Sequence, residues 1–317
     1  MKIVILDGAA ANPGDLTWNR IDDLGDLTVY DNSMTSEIVI RSQNADIIIV
    51  NKVNISEQTI SQLPVLKCIC LLATGYNNID LEAAANHGIV VCNAVGYGSP
   101  SVAQHVFSLI LAIVNNVNQT SQGVHEGAWS DSEKWTYTHQ PISELSGKTL
   151  GIYGIGKIGM TVAHVGLGFG MRIIANRKNM ERHISNIELC DFETLLTESD
   201  ILSLHAPLNN ENKYIINKSS IAKMKSDSIL INTGRGGLIN ENDLKEALTN
   251  GIIKAAGLDV LSEEPPHRDH VLMGIKNCII TPHQAWATIE SRKRLINIIA
   301  QNIIAFKAGN PINVVLA

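Results

Sequence analysis

The chain has 317 residues, 45% of them hydrophobic and 18% charged, with a formal net charge of −6. That length points to about two domains, each large enough for its own core. The acidic balance and the lack of a basic stripe argue against a nucleic-acid partner, and the longest apolar run, residues 106–114, is far too short to span a bilayer.

Residues 2–7, 27–31, 45–51, 67–74 and 89–93 are β-branched runs separated by helix-like or turn-rich segments such as 56–63 and 81–86. Strands alternating with helices predict a parallel sheet covered on both faces. The first run begins at the N-terminus with no signal-peptide hydrophobic region before it. Cys68, Cys70, Cys92, Cys190 and Cys278 show no C-x-x-C spacing, and four of them lie in strand-like runs. Reduced, buried thiols in a cytoplasmic protein are the expectation.

At Gly96 the pattern breaks and a helix begins, with Ser99 able to cap it and Pro100 tolerated at its first position. It runs to about Asn118 and is apolar on most of its surface, which predicts burial, including burial against a second subunit. Residues 123–141 read as an irregular connector. A second alternating series then follows at 150–153, 172–176, 201–205, 228–232, 254–259 and 278–281, six strands in all. Residues 286–309 read as a long amphipathic helix that returns to the first unit. The expected architecture is α/β, with two Rossmann-like or flavodoxin-like doubly wound parallel-sheet domains and a cleft between them. Residues 1–95 with 287–317 form a discontinuous substrate domain, and 96–286 a dinucleotide-binding domain.

The second series opens with Gly154-Ile155-Gly156-Lys157-Ile158-Gly159, a G-x-G-x-x-G turn between a strand and a helix. A pyrophosphate can rest on a helix N-terminus only where the backbone turns tightly and lies close to the ligand, and glycine permits both. The second strand of the series ends at Asn176, where NAD-binding folds commonly place an acid for the ribose hydroxyl. Asn176 would not repel a 2′-phosphate, and Arg177 and Lys178 can pair with one. The cofactor is thus NAD(P), with the residues favouring NADP(H) or use of both.

Four segments fall at the C-terminal ends of the later strands, where ligands bind in open α/β sheets. They are His205-Ala206-Pro207-Leu208, Asn232-Thr233-Gly234-Arg235-Gly236, Leu258-Asp259-Val260 followed by Glu264, and Thr281-Pro282-His283. Reduction of a 2-keto acid needs a hydride donor, a cation for the carboxylate and an acid for the developing alkoxide. Arg235 suits the carboxylate and His283 the proton, with Glu264 to orient the imidazole. Each alone has a plainer reading, as a loop arginine, a structural histidine or a turn glutamate; their common location carries the argument. His267, Asp269 and His270 read as a polar surface loop, and no metal site is expected.

These motifs together resemble the D-isomer-specific 2-hydroxyacid dehydrogenase family along nearly the whole chain. Ala73-Thr-Gly-Tyr-Asn-Asn-Ile-Asp80 resembles its substrate loop, which implies that backbone amides around Thr74 and Gly75 take the substrate carboxylate. The resemblance assigns catalysis to Arg235, Glu264 and His283. It implies cofactor contacts at the glycine-rich turn, Asn176, Arg177, His205, Ala206, Pro207, Thr233, Gly234 and His283, with Asp259 beside the nicotinamide carboxamide. Within the family, Val50-Asn-Lys-Val53, Ser101-Val-Ala-Gln-His105 and Thr281-Pro-His-Gln-Ala-Trp286 are similar to stretches of bacterial glycerate dehydrogenases, also called hydroxypyruvate reductases. Asn176 and Gln284 depart from the usual pattern. The resemblance implies oxidation and reduction between a small 2-keto acid, such as hydroxypyruvate or glyoxylate, and its D-2-hydroxy acid, in a homodimer. The alternatives are a corepressor-like, dinucleotide-sensing binding protein of the same fold and a formate- or phosphite-type dehydrogenase.

Overall fold

Short runs of β-branched and cysteine residues build the first sheet: β1 (Lys2–Ile5), β2 (Asp26–Val29), β3 (Ile47–Val50), β4 (Cys68–Leu71) and β5 (Val90–Cys92). In this computed structural model, which describes residues 1–177 and 183–316, all five strands run parallel in the order β2-β1-β3-β4-β5. Every residue of β3 and β4 is buried, as expected for central strands covered on both faces. Their isoleucines and leucines each contribute roughly 1.5–3 kcal/mol of transfer free energy. The sheet belongs to a unit made of Met1–Gly98 and Ala287–Ala317.

The chain returns to this unit through the helix Ile289–Lys307, whose N-cap Thr288 accepts from the Ser291 amide. Asn302 on that helix donates to the Asn93 carbonyl at 2.9 Å. Arg292, 5% exposed, grips Asp15 with two hydrogen bonds of 2.6 Å. A forked guanidinium pair of this kind fixes geometry as well as charge.

The second unit, Ser99–Trp286, holds β6 (Thr149–Tyr153), β7 (Arg172–Asn176), β8 (Glu188–Leu189), β9 (Ile201–Leu204), β10 (Ile229–Asn232), β11 (Ala255–Leu258) and β12 (Cys278–Ile280). They form one parallel sheet in the order β12-β11-β10-β9-β6-β7-β8. The sequence predicts six strands here. The seventh, β8, is a two-residue edge strand, too short to show any periodicity.

The apolar helix also differs from expectation. It spans Ser99–Asn115 and ends at Asn116, whose φ of 50° lies in the left-handed region that asparagine tolerates. A second helix, Val117–His125, follows at a bend of 51°, so part of the expected connector is helical. Val102, Val106, Phe107, Leu109, Ile110 and Val114 of the first helix pack with Leu150, Ile152, Val162 and Ile173. This face is therefore satisfied within its own unit. No single helix among the described residues is long and apolar enough to cross a membrane.

Candidate active site

Both sheets reverse strand order beside their first strand, at β1/β3 and at β6/β9. Such switch points open a crevice outside the C-terminal strand ends. In the second unit, Gly154 leaves β6 at φ 95°, and a Cβ there would stand 2.5 Å from the Ala206 nitrogen. Only glycine permits both that conformation and that approach. Gly156 is the N-cap of the helix Lys157–Gly168, so Lys157, Ile158 and Gly159 form its first turn, while Ile155 is buried. Their N–H groups have no partner within the helix and carry the positive end of its dipole.

Two observations fit a dinucleotide at this turn. A Cβ on Gly156 would meet nothing within 4 Å, so the space before the helix is open. Thr233 Oγ1, at the end of β10, is buried and has no hydrogen-bond partner among the described residues. Residues Lys157 to Gly159 suit a pyrophosphate, and Thr233 with Gly234 lie at the end of β10, two strands away from β6 in the sheet.

Asn176 closes β7; its carbonyl accepts from the Gly154 amide at 3.1 Å, and its Nδ2 donates to the Cys190 carbonyl at 3.0 Å. The amide's Nδ2 is thus committed to the protein backbone. Arg177 beside it is partly exposed, and Lys178 lies outside the described residues. After β9, the His205 amide donates to the Tyr153 carbonyl at 2.7 Å and its Nε2 lies 2.8 Å from the buried Ser203 hydroxyl. The ring tip points inward, and burial pushes its pKa down to about 4, so the imidazole is neutral at physiological pH. Pro207 accepts from Asn212 Nδ2, and Ala206 lies against the Gly154 turn.

Arg235 follows β10 in extended conformation and is partly exposed. Asn232, fully buried, braces its loop by donating to the Arg235 carbonyl and accepting from the Gly234 amide. A Cβ on Gly236 would overlap the Leu261 carbonyl, so this loop lies directly on the segment leading to Glu264. Glu264 Oε2 meets His283 Nδ1 at 2.6 Å, while Glu264 Oε1 accepts from the Leu261 amide at 3.1 Å. The structure thus brings Glu264 and His283 into contact and sets the arginine loop against Leu261 and Ser262, just before Glu264. His283 itself has φ 52°, a left-handed conformation that a histidine holds only at some cost in backbone strain.

Asp259, which the resemblance sets beside the carboxamide, has a side chain only 1% exposed. Its carboxylate accepts from the Thr281 hydroxyl at 2.6 Å and from the Gln284 and Ala285 amides at 2.9 Å each, and His105 Nε2 lies 3.4 Å away. Burial alone raises this carboxyl, but the bonds from His105, Thr281 and the two amides outweigh it and hold the group below the usual carboxylate range.

In the first unit, Thr74 and Gly75 follow β4. Thr74 Oγ1 donates to the Ala94 carbonyl at 2.6 Å, and Asn93 Nδ2 donates to the Thr74 carbonyl at 2.8 Å. The loop is pinned by its side chain and carbonyl, which leaves its direction fixed.

Sequence reasoning gives no role to Asn232 or His105. The signal for His105 is an imidazole set among the buried Val102, Ala103, Val106 and Phe107 of its helix. Among the described residues no three His, Cys, Asp or Glu side chains are grouped to hold a metal ion, and His270 pairs with Glu241 instead.

Residues 107–285 match the D-isomer specific 2-hydroxyacid dehydrogenase, NAD binding domain. Over 99% of both chains the protein is 43% identical to a hydroxypyruvate reductase of Blautia hydrogenotrophica. The chain belongs to the D-isomer-specific 2-hydroxyacid dehydrogenase family. A glycerate dehydrogenase of Methylorubrum extorquens is 38% identical over 100% of this chain and 99% of its own. Among solved structures, an acyclic imino acid reductase in complex with NADPH and D-Arg superposes with a TM-score of 0.88 at 33% identity, covering all of both chains. As a member of this family, the protein is an NAD(P)-dependent oxidoreductase interconverting a keto acid and a hydroxy acid. A purely binding, corepressor-like role is not favoured.

Proposed function

We propose that the protein reduces a small 2-keto acid of the hydroxypyruvate or glyoxylate type to the D-2-hydroxy acid, with NADPH or with either dinucleotide. The observation that carries this reading is the 2.6 Å pair of His283 Nδ1 and Glu264 Oε2 at the C-terminal strand ends. With Nδ1 committed to the carboxylate, Nε2 is the nitrogen left to hold the transferable proton. Glu264 is itself steadied by the Leu261 amide, so the imidazole has one orientation.

A bound nicotinamide dinucleotide supplies the hydride. Lys157 to Gly159, Asn176, Arg177, Thr233 and Gly234 would hold it, together with His205, Ala206 and Pro207. His283 Nε2 gives its proton to the keto oxygen as the carbon is reduced, and takes it back in the oxidative direction. Arg235 holds the carboxylate and keto oxygen by charge-assisted hydrogen bonds. The amides of Thr74 and Gly75 are assigned to the substrate carboxylate, which makes residues 1–95 with 287–317 the substrate domain and 96–286 the dinucleotide domain. The neutral Asn176 and the cationic Arg177 support use of a 2′-phosphorylated dinucleotide.

We assign a homodimer in the cytoplasm. The exposed Val117, Trp129, Trp135 and Ile142 support pairing through residues 117–142, and five unpaired cysteines suit a reducing compartment.

The test is dinucleotide oxidation followed at 340 nm with hydroxypyruvate, glyoxylate and pyruvate, each with NADH and with NADPH. Turnover of hydroxypyruvate or glyoxylate, with NADPH at least as effective as NADH, is expected. Tight dinucleotide binding without turnover of any of the three would overturn the substrate assignment.

A further inference from the structure

We propose that His105, on the helix Ser99–Asn115, is a positioning residue for His283 and acts through Thr281 and Asp259. The inference rests on the proposed role of His283 in turnover.

The direction of each hydrogen bond follows from the proton inventory. Asp259 is held as a carboxylate and can only accept. Thr281 has one hydroxyl proton, and it goes to Asp259 Oδ1 at 2.6 Å. What Thr281 Oγ1 offers His105 Nε2, 2.9 Å away, is therefore a lone pair. Nε2 must carry hydrogen, and it points along a chain that runs from imidazole to hydroxyl to carboxylate. At the far end Asp259 collects the amides of Gln284 and Ala285 through its side chain, and the His283 amide through its own carbonyl at 2.8 Å. Three consecutive residues are thus anchored on Asp259, and the first of them is His283.

That anchoring has a purpose the backbone makes plain. His283 is held at φ 52°, a conformation a non-glycine residue keeps only where its surroundings over-determine it. The helix supplies a second point of attachment: Ser101 Oγ donates to the Ala285 carbonyl at 2.5 Å. Ser101 and His105 are four residues apart and so lie on one face of the helix. The two polar side chains clamp both sides of the histidine loop, while Val102, Val106 and Phe107 around them pack into the core. Packing alone does not call for an imidazole at position 105. A side chain that donates from the Nε2 position to Thr281 does.

The experiment compares His105→Leu, which fills the space and removes the donor, with His105→Gln, whose Nε2 can reach the same hydroxyl. In His105→Leu, kcat is expected to fall on the order of 10- to 100-fold, with KM and dinucleotide Kd within about twofold of wild type. In the same variant the Gln284 and Ala285 amides exchange hydrogen about tenfold faster or more. His105→Gln should return both kcat and amide protection to within about threefold of wild type. An unchanged kcat in His105→Leu, or a glutamine no better than leucine, would overturn the proposal. Should His105→Leu not fold, Thr281→Val keeps the shape but removes both the acceptor of His105 and the donor to Asp259. Its kcat and the protection of the Gln284 and Ala285 amides should then fall at least as far; unchanged values would overturn the proposal. If the wild-type protein reduces none of the keto acids, the assigned reaction fails. The exchange rates then decide this inference alone: unchanged protection overturns it, and glutamine-restored protection supports it.

Discussion

The two sheets are wound alike, yet they spend the backbone amides at their switch points in opposite ways. In the first unit Asp7 follows β1, and its carboxylate, 6% exposed, accepts from the amides of Asn51 at 2.7 Å, Lys52 at 2.5 Å and Val53 at 3.1 Å. In the second unit β6 is followed by Gly154 and Gly156, and a Cβ on Gly156, the N-cap of the next helix, would meet nothing within 4 Å. One sheet provides the anion itself; the other leaves room for one from outside. The comparison teaches that a doubly wound sheet concentrates amide donors at this edge in any case. Whether it binds a dinucleotide depends on which side chain stands after the first strand, so the fold by itself does not make the site.

The largest expected effect tests the second unit's chemistry. His283→Ala should lower kcat on the order of 10²-fold or more while dinucleotide affinity stays near wild type. Lost affinity in steady-state and binding measurements would instead give this histidine a structural role.

Next is a pH effect beside the glycine turn. The unfolded chain protonates His205 near pH 6.5 and the folded chain only near pH 4. Stability present above pH 6.5 is therefore lost as pH falls through that window, by about 3 kcal/mol in full and about 2 kcal/mol by pH 5. Urea midpoints of wild type and His205→Gln at pH 7 and pH 5 measure it; equal slopes in the two proteins would remove His205 as the cause.

Asp7→Ala leaves three amides without their acceptor and should cost about 2 kcal/mol in urea unfolding of the first unit. Dinucleotide affinity should not change. A fall in affinity would break the contrast between the two edges.

Gly156→Ala sharpens the contrast from the other side. Because its Cβ meets nothing in the protein, thermal stability should hold, while dinucleotide Kd rises about tenfold, or about 1.4 kcal/mol, as the methyl enters the ligand's space. Gly154→Ala, by contrast, should lower Tm, given its φ of 95° and its approach to Ala206. If Gly156→Ala binds as wild type, the pyrophosphate lies elsewhere.

The smallest effect concerns the ribose. Asn176→Asp places a charge near a 2′-phosphate and should shift the NADH/NADPH ratio of kcat/KM by roughly fivefold toward NADH, about 1 kcal/mol at solvent-like screening. An unchanged ratio would show that this position does not read the ribose.

Much of the architecture is legible in the sequence. Runs such as Ile47–Val50 and Cys68–Leu71 are short and wholly apolar, and they become central strands. The Gly154 turn reads directly because strand, glycines and helix are adjacent in sequence. The break at Asn116 and the edge strand β8 do not read, since a single left-handed residue and a two-residue strand leave no periodic trace. The segments bearing Arg235, Glu264 and His283 were legible as motifs; the 2.6 Å contact between Glu264 and His283 was not.

The sequence by itself determined what depends on neighbours within a few residues: the strand runs, the glycine turn, the helix starts, and the absence of an acid at Asn176. Only the tertiary structure decided which buried polar groups answer one another. His105 and Thr281 are 176 positions apart, and Asp7 meets amides 44 to 46 positions away. Such bonds form because an unpaired buried donor or acceptor is costly, so most of them find a partner among whatever the folded chain brings near. No local pattern specifies that partner, because the layering of the sheets selects it.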